Sequence, residues 1–500
     1  MKIIIPMTGK SSRFKQFGIK TPKQFLKIQD EFILKHIINM FPGEEDINFI
    51  VSKEDSKNSE FQDYIKHFRE YKTHLIDFQK SGPGGALLES KILKTNDPVL
   101  INYCDFANIW NWYEFKAFIN KNNPDGIIPA YKGLHPHSIY NNDYAFIKNN
   151  GETITNIREK KSFTKDKINE YASTGTYYFK SGFLAETYLK RTFKQKNFVN
   201  KEVYISTPFQ DMINDLLNVK LFNIDYFFQW GTPEDFNEFK YNLKEVENVK
   251  NQKKININNI NLLIPAAGKG ERFKNQGYET PKINLKINGK TIIQNIVESF
   301  SNQTETKILL HKDDNLEFNK SIVNKNIINI TQRTSGQAES SFKLINKINN
   351  NLPILIHSAD CILDKDLKIE IGNYDVVIFT KKNYRRGFSQ SLNYGWVNKK
   401  NQKIESFSIK EIPKDRNSSV ILGVFLFKNR SVFEKLYYET LNQSKNQIKE
   451  IHIDNLVDTA LNNGMKIKID ESETSVMLGT PVEFELFNYM YLAYSYLSKK

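Results

Sequence analysis

The chain contains one glycine-loop motif twice, at a constant offset of 259 residues. Each copy follows a short apolar run, at 3–6 and 262–265, which predicts a buried strand entering a tight turn. A strand, a glycine loop with an arginine, and a lysine ten residues further on together predict a polyphosphate-binding loop in each copy. The shared residues are Gly9, Arg13, Phe14, Gly18, Thr21, Pro22 and Lys23 in the first copy, and Gly268, Arg272, Phe273, Gly277, Thr280, Pro281 and Lys282 in the second.

The repeat predicts two domains. The 500 residues exceed what one hydrophobic core usually supports, whereas each half is long enough for a core of its own. We expect domains at 1–245 and 260–500, joined by a linker at 246–259 that is rich in Lys and Asn and lacks hydrophobic periodicity.

Charge and cysteine usage exclude several classes of protein. The net charge is +14, but the lysines are dispersed among asparagines rather than gathered in runs, so direct binding of nucleic acid is not expected. Two cysteines cannot form a disulfide framework, which fits a reducing compartment. No apolar run approaches the ~18 residues of a membrane span. We therefore expect a cytoplasmic protein without stable membrane insertion.

Apolar runs alternate with amphipathic segments in both halves, and this alternation predicts α/β domains with mainly parallel sheets. Ligands of such domains gather at the carboxyl ends of the strands. The predicted strands are 47–51, 99–103, 127–131 and 177–179, with counterparts at 307–311, 354–357, 376–380 and 424–427, and the predicted helices are 32–40, 208–217 and 292–300.

Further landmarks keep their order in both halves, which indicates a duplication rather than a chance recurrence of one motif. The pairs are Gln79 with Gln332, Asp105 with Asp360, Glu159 with Glu411, Gly175 with Gly423, Glu202 with Glu450, and 231–233 with 479–481.

The glycine loops have the residues that polyphosphate binding needs. Glycine lets backbone N–H groups approach phosphate oxygens, and Arg13 and Arg272 supply bidentate donors. Lys23 and Lys282 follow a proline, which fixes their direction, so that they can neutralise charge developing at a phosphorus centre. Neither loop has the Gly-Lys-Ser/Thr ending of a P-loop or the full dinucleotide fingerprint. An ordinary strand–helix turn with a surface arginine is the alternative.

At this level the chain resembles the sugar-phosphate nucleotidyltransferases, and within them those of bacterial capsule and lipopolysaccharide gene clusters. The resemblance rests on an ordered set of strings that covers nearly all of both halves. These strings are PMTGKSSRF, TGTYYF, VYISTPFQDMI and WGTPEDF in the first half, and TSGQAES and LGTPVEFELF in the second. It implies two tandem Rossmann-like domains of the GT-A type.

The resemblance also implies roles for single residues in nucleotide binding. The triphosphate is then held by Gly9, Ser11, Arg13 and Lys23, and by Gly268, Gly270, Arg272 and Lys282, of which the arginines and lysines are catalytic. The base is then contacted by the stretches 79–86 and 332–338, through Gln79, Gly84, Gly85, Gln332 and Gly336.

By the same resemblance Asp105 and Asp360 bind Mg²⁺, and the acceptor meets Glu159, Lys160, Gly175, Glu411 and Gly423. The residues alone favour the same metal position, because one carboxylate at the end of a strand beside a phosphate loop suits a Mg²⁺ shared with substrate phosphates. A helix N-cap is the alternative for each aspartate, and a solvated charged turn is the alternative for Glu159 and Lys160.

The chain departs from the family pattern in both halves. Many relatives carry a second metal-binding Asp where this chain has Gln229 and Met477. The second half has Ile412 where the first has Lys160, although Lys410 and Lys414 are near. The first half has Ser11 and Ser12 in place of the second glycine of the loop. These departures leave open that one half is a nucleotide-sensing or scaffolding domain.

From these features we expect an enzyme that transfers a nucleoside monophosphate from a nucleoside triphosphate to a phosphorylated sugar, polyol or amino alcohol. Pyrophosphate is released, and the product serves surface polysaccharide synthesis. A GT-A glycosyltransferase is the rival, but it needs an Asp-x-Asp motif, and Asp105 is followed by Phe-Ala and Asp360 by Cys-Ile. The nucleobase, the acceptor and the oligomeric state stay open.

Overall fold

The protein consists of two compact units, Met1–Lys240 with Leu492–Lys500, and Tyr241–Tyr491. The computed structural model describes residues 1–77, 81–139, 144–314, 326–382, 384, 391–400, 403–415, 417–443 and 450–498. Each unit is built around its own sheet.

A ten-stranded mixed sheet forms the centre of the first unit. One side of it is parallel, because Lys2–Pro6 pairs in parallel with Ile47–Ser52 and with Val99–Asn102. The strand order is Tyr171–Ser173, Ala145–Asn150, Thr153–Glu159, Val219–Asn223, Gly126–Tyr131, Thr176–Phe179, Val99–Asn102, Lys2–Pro6, Ile47–Ser52 and Lys72–Ile76.

Antiparallel pairing enters the sheet at Thr176–Phe179, which lies between Val99–Asn102 and Gly126–Tyr131. Two neighbouring strands, Ala145–Asn150 and Thr153–Glu159, are joined by a two-residue turn, and so short a connection allows only antiparallel pairing. The predicted α/β class is confirmed. The sheet is mixed, and its parallel part is the part that carries the glycine loop.

The remaining elements of the first unit pack on this sheet or close its edge. The helices are Ser12–Gln16, Ile33–Ile38, Lys53–Ser56, Ser59–Ile65, Gly82–Ser90, Trp112–Asn122, Gly182–Lys194 and Thr207–Asn214, the 3₁₀ turns are Lys23–Phe25, Lys66–Phe68, Pro136–Ile139 and Lys167–Asn169, and the small strands are Lys27–Ile28, Glu31–Phe32, Phe106–Ile109 and Tyr226–Gln229. Helix Pro233–Lys250 begins in the first unit and ends in the second.

The second unit has a nine-stranded sheet whose strands follow the same order. Asn261–Pro265 again pairs in parallel on both sides, with Thr306–His311 and Ile354–His357. The order is Ile327–Ile330, Thr306–His311, Asn261–Pro265, Ile354–His357, Ser419–Phe427, Val376–Lys381 and Ile467–Ser472, and the hairpin of Gly395–Lys400 and Lys403–Ile409 joins through Ser419–Phe427.

Helices, 3₁₀ turns and small strands complete the second unit. The helices are Glu271–Lys274, Ile292–Glu298, Gln337–Ile345, Arg430–Gln443 and Ile453–Asn462, the 3₁₀ turns are Lys282–Asn284 and Ser391–Asn393, and the small strands are Ile255–Asn256, Lys286–Ile287, Lys290–Thr291, Phe300–Ser301, Cys361–Ile362 and Val476–Met477. Helix Pro481–Leu497 begins in the second unit and ends in the first.

Each sheet is buried under its helices by aliphatic and aromatic side chains. In the first unit Ile4, Ile101 and Phe179 are fully buried in one cluster, and in the second unit Leu263 and Ile356 lie in its counterpart. Strands buried on both faces read as continuous apolar runs, and this is why the sequence alone located them.

The boundary between the units differs from the predicted linker. Helix Pro233–Lys250 runs into the predicted 246–259 segment, and Ile255–Asn256 pairs in parallel with Phe300–Ser301. Asn248 donates from Nδ2 to the carbonyl oxygens of Leu363 and Thr474 at 3.1 Å each. Val246, Ile255 and Ile257 are buried as well, so the segment is packed although its apolar side chains do not follow a helical period.

No helix among the described residues is both long enough and apolar enough to cross a membrane.

Candidate functional site

The first unit has an open cleft of about 610 Å³ at the carboxyl ends of its parallel strands. Its walls come from the glycine loop, the loop after Val99–Asn102, the end of the Ala145–Asn150 hairpin and the start of helix Pro233–Lys250. The predicted site residues that line it are Gly9, Ser11, Arg13, Lys23, Asp105, Glu159, Lys160 and Gly175.

The glycine loop leaves room for a ligand. A Cβ atom at Gly9 would meet nothing within 4 Å. Ser11 adopts a left-handed conformation with φ of 49° and leads into helix Ser12–Gln16, while its Oγ accepts a 3.3 Å hydrogen bond from the backbone N–H of Lys23. This contact joins the loop to the lysine that the sequence predicted to act with it.

The Lys23 ammonium lies 2.6 Å from Oδ2 of Asp105. Both side chains are about four-fifths buried, at 20% and 17% exposed. Burial lowers the pKa of Lys23, but the Asp105 carboxylate outweighs this effect and holds the pKa above its usual range. Lys23 is therefore a fixed positive charge in the cleft.

The side of the cleft at which the resemblance implies acceptor binding, here called the acceptor side, contains two polar pairs. Glu159 accepts a 2.6 Å hydrogen bond at Oε2 from the Ser206 hydroxyl. The Lys160 ammonium donates to the Tyr204 hydroxyl at 2.8 Å and lies 4.5 Å from the centre of that ring. The partners Ser206 and Tyr204 belong to the string VYIS, for whose residues the sequence predicted no role.

Gly175 is required by packing. Its φ is +100°, and a Cβ atom there would lie 2.8 Å from Cε1 of Phe106. Only glycine fits this position at the wall of the cleft.

The two-stranded antiparallel sheet of Phe106–Ile109 and Tyr226–Gln229 brings Gln229 to Asp105. A Cβ atom at Gly231 would lie 2.8 Å from both Asp105 Oδ2 and Gln229 Nε2. The position at which relatives carry a second carboxylate is thus beside Asp105 and holds an amide.

These donors fit Mg²⁺ as an ion that takes most of its ligands from phosphate and water. Among the described residues no group of three His, Cys, Asp or Glu side chains lies close enough together to hold a metal. Asp105 would supply the carboxylate oxygen, and Gln229 has an amide oxygen to add.

The segment predicted to contact the base is only partly at the cleft. Gln79 lies outside the described residues. Gly84 and Gly85 are buried, and the Gly84 N–H donates to the Val203 carbonyl at 3.0 Å, so its backbone is not available to a ligand. Gly82 and Pro83 line the cleft in their place. Helix Gly82–Ser90 begins at this point, which turns the later glycines inward.

The second unit repeats the central ion pair between Lys282 and Asp360. Gly270 has the left-handed conformation of Ser11, with φ of +63°. Arg272 differs from its counterpart in its partners, because its guanidinium donates to the carbonyl oxygens of Asn393 at 3.3 Å and Gly479 at 3.5 Å.

Arg333 is a residue that the sequence analysis missed. It donates from Nη1 to the carbonyl oxygens of Ala267 at 2.7 Å and Gly268 at 2.9 Å, and it forms an ion pair with Asp314. The predicted base-contacting residue Gln332, next to it, is exposed. Arg333 therefore fixes the glycine loop from its carbonyl side.

Gly336 and Gly82 each lie against a glutamate side chain. A Cβ atom at Gly336 would come within 2.7 Å of Glu450, and one at Gly82 would come within 2.8 Å of Glu202. Gly423 has φ of +70° and approaches the Ser358 side chain too closely for any Cβ atom.

The structure places Glu411 differently from Glu159. Strand residue Ile409 lies opposite Gly395, as Glu159 lies opposite Ala145. Glu411 comes two residues later and is exposed. The predicted pairing of Glu411 with Glu159 is corrected, because aligning glutamates by residue type shifted the second hairpin by two residues.

Reciprocal caps mark the late motif of both units. Thr232 Oγ1 accepts from the Asp235 N–H at 3.1 Å, and Thr480 Oγ1 accepts from the Glu483 N–H at 3.3 Å. Asp235 also lines the cleft. The Thr-x-x-Asp/Glu spacing of a capping box could have predicted these pairs from the sequence.

The cysteines have the environment of small buried hydrophobes. Burial raises the pKa of Cys104 to about 11 and that of Cys361 to about 12, although Lys23 and Lys282 respectively oppose the shift. Both thiols stay protonated and are not nucleophiles at neutral pH.

Residues 260–371 match the family model described as IspD, 2-C-methyl-D-erythritol 4-phosphate cytidylyltransferase. This range contains the second glycine loop, Lys282, Arg333 and Asp360. A search of curated proteins finds no match to the chain.

Solved structures that are similar to about half of this chain include the following three proteins. A nucleoside-diphosphate-sugar pyrophosphorylase from Vibrio cholerae is 17% identical, with a TM-score of 0.38, over 48% of this chain and 99% of its own. The inositol-1-phosphate CTP transferase from T. maritima is 14% identical, with a TM-score of 0.36, over 47% and 96%. A UDP-glucose pyrophosphorylase with UDP-glucose is 16% identical, with a TM-score of 0.37, over 47% and 96%.

By the match at residues 260–371, this chain carries a segment that is similar to the IspD cytidylyltransferases.

Proposed function

We propose that the protein transfers a nucleoside monophosphate from a nucleoside triphosphate to a phosphorylated sugar, polyol or amino alcohol. An acceptor phosphate oxygen attacks the α-phosphorus, the bond from that phosphorus to the bridging oxygen breaks, and pyrophosphate leaves with the electron pair. The observation that carries the proposal is that the glycine loop and Lys23 line the same cleft as Glu159 and Lys160. Triphosphate and acceptor can therefore meet there.

The residues of the cleft divide between the two substrates. Arg13 and the backbone of the glycine loop would bind the triphosphate, while Lys23, oriented by Asp105, would neutralise charge that develops at the α-phosphorus. Lys160 would bind the acceptor phosphate and Glu159 an acceptor hydroxyl. Catalysis of this kind consists mainly of positioning and charge neutralisation.

A divalent metal, which we propose to be Mg²⁺, would supply additional positive charge to the phosphates when bound at Asp105 or Asp360. The contacts of Lys23 with Asp105 and of Lys282 with Asp360 support this proposal, because the carboxylate and the ammonium of each unit could then reach the same phosphate groups.

We propose further that the two units are a tandem pair of nucleotidyltransferase domains and that their product serves surface polysaccharide synthesis, as the sequence resemblance implies. The contacts of Arg272 with Asn393 and Gly479 favour a second candidate for the second unit alone. An arginine held by backbone carbonyls suits a unit that senses nucleotide without turnover.

The test is pyrophosphate release by the full-length protein with Mg²⁺, for each of the four ribonucleoside triphosphates and dTTP against a panel of sugar, polyol and amino-alcohol phosphates. We expect release only with one triphosphate and one acceptor class together. Transfer of sugar from a nucleotide sugar without pyrophosphate release would contradict the proposal and support a glycosyltransferase.

A further inference from the structure

The hairpin at the acceptor side has the same register in both units. In the first unit the Lys160 N–H donates to the Tyr144 carbonyl at 2.9 Å, and in the second the Lys410 N–H donates to the Tyr394 carbonyl at 3.0 Å. Both lysines have left-handed backbones, with φ of 56° and 54°. Lys410 is therefore the counterpart of Lys160.

This register removes the strand carboxylate from the second unit. The residue before Lys160 is Glu159, whereas the residue before Lys410 is Ile409. The second unit keeps the lysine of the acceptor side and lacks the glutamate beside it.

A carboxylate is found instead on the neighbouring segment. Glu202 and Glu450 occupy equivalent places, because each lies against the glycine that opens the base-side segment of its unit. Four residues beyond Glu202 is Ser206, and four residues beyond Glu450 is Asp454. In the first unit Ser206 is the residue that donates to Glu159. The second unit thus has the Asp454 carboxylate where the first has the Ser206 hydroxyl. It also has Ile409 where the first has Glu159.

Space for this carboxylate exists at the strand. Ala145, opposite Glu159, is replaced by Gly395, opposite Ile409. A Cβ atom on Gly395 would lie 2.8 Å from Oδ2 of Asp454. In the first unit Ala145 lines the cleft, and the Asp454 carboxylate lies beside Gly395, the residue that corresponds to Ala145.

One oxygen of Asp454 has no partner among the described residues. Its Oδ1 is inaccessible to solvent and accepts no hydrogen bond there. A buried carboxylate oxygen without a donor is costly, so a hydroxyl that donates to it would be bound favourably. Burial also raises the pKa of Asp454 to about 6, with the Lys410 charge opposing.

We propose that Asp454 is the acceptor-binding carboxylate of the second unit, and that it accepts a hydrogen bond from an acceptor hydroxyl while Lys410 binds the acceptor phosphate. The inference rests on the proposed nucleotidyl transfer. The second unit would then bind its acceptor through a carboxylate on helix Ile453–Asn462, whereas the first unit uses a carboxylate on strand Thr153–Glu159.

The experiment uses full-length protein carrying Lys23→Met, so that the pyrophosphate released comes from the second unit. On this background Asp454→Asn should raise the acceptor KM about tenfold or more and leave the triphosphate KM unchanged. Asp458→Asn, one turn further along helix Ile453–Asn462, is the matched control and should change neither constant. Thermal unfolding of each variant separates loss of binding from loss of fold.

Moving the carboxylate from residue 454 to residue 409 gives a second test, which does not depend on whether one single variant folds poorly. The double variant Ile409→Glu with Asp454→Ser rebuilds the pair of the first unit and should restore the acceptor KM that Asp454→Ser alone has raised. A merely structural role for Asp454 predicts no such rescue.

Three results would overturn the proposal. They are an unchanged acceptor KM in Asp454→Asn, an increase produced by Glu411→Gln instead, and no release by the Lys23→Met protein although the wild type is active. No release by the wild type either would contradict the proposed function itself.

Discussion

The Lys23 ammonium donates to Oδ2 of Asp105 over 2.6 Å, although 82 residues separate the two in the chain. The pair joins the glycine-loop motif to the end of the next parallel strand, and the second unit forms the same pair from Lys282 and Asp360. A lysine and a carboxylate that hold each other in place are positioned before substrate arrives, which is the condition for electrostatic catalysis.

Removing the lysine should abolish turnover without unfolding the protein. Lys23→Met together with Lys282→Met keeps most of the buried side-chain volume and removes the charge, so pyrophosphate release should fall by about 10²- to 10³-fold. The release assay on the full-length double variant measures this. Circular dichroism should show an unchanged fold, and retained activity would rule out the assigned role of the lysines.

Gly231→Ala should impair the first unit while leaving its fold intact. The new Cβ atom would displace Asp105 and Gln229, each 2.8 Å away. Gly479→Ala is the matched substitution in the second unit, where the nearest atom lies 3.6 Å away. We expect release by the first unit to fall about tenfold or more, and release by the second to change little.

The measurement for this pair is pyrophosphate release on backgrounds in which the other unit is silenced at its lysine. Equal effects of the two substitutions would show that the contact of Gly231 with Asp105 is not what positions the carboxylate.

Glu245→Gln should destabilise the second unit. The Lys381 ammonium is 0% exposed and is held by the Glu245 carboxylate, itself 7% exposed, and by the Ser475 carbonyl. Breaking one side of a buried ion pair leaves an uncompensated charge and costs about 3–5 kcal/mol. Denaturant unfolding measures the loss.

The control for that prediction is Glu247→Gln, an exposed carboxylate on the same helix, which should have almost no effect. Replacing both members of the pair, by Glu245→Leu with Lys381→Met, should recover most of the stability. An unchanged unfolding midpoint in Glu245→Gln would mean that Glu245 does not compensate the Lys381 charge.

The stability of the second unit should depend on Asp454 between about pH 4 and pH 7. Burial raises the pKa of this carboxyl to about 6 in the folded state, against about 3.9 in the unfolded chain. The stabilisation that comes from the protonated Asp454 carboxyl is therefore complete below its pKa in the unfolded chain. It is lost as the pH rises through its pKa in the folded state. Lys410 is the charged group that faces it.

Asp454→Asn should consequently stabilise the second unit at pH 8 by on the order of 1 kcal/mol and should flatten the dependence of unfolding on pH. Thermal unfolding at pH 5 and pH 8 measures both effects. Glu411→Gln, at an exposed position, serves as the comparison and should flatten nothing.

The sequence predicted the parallel centre of each sheet because strands such as Ile354–His357 are buried on both faces and read as apolar runs. It also predicted that Lys23 and Asp105 belong to one site, since both follow parallel strands. It could not predict that Gly84 turns inward, because this depends on the first turn of helix Gly82–Ser90.

The acceptor side was harder to predict for a related reason. Matching residue types aligned Glu411 with Glu159, whereas backbone pairing aligns Ile409 with it. When one unit has its carboxylate on a strand and the other has it on a neighbouring helix, aligning the two sequences pairs neither carboxylate with another carboxylate. Partners such as Tyr204, bound to Lys160, are likewise set by the packing of segments distant in the chain.

The most direct measurement follows the α-phosphate of a labelled nucleoside triphosphate in the full-length protein and in its Asp105→Asn, Asp360→Asn and double variants. The account predicts that label passes to the phosphorylated acceptor as pyrophosphate is released. It further predicts that each single variant loses the share of its own unit and that the double variant loses about 10²-fold or more in rate. Undiminished transfer of label in the double variant would contradict it.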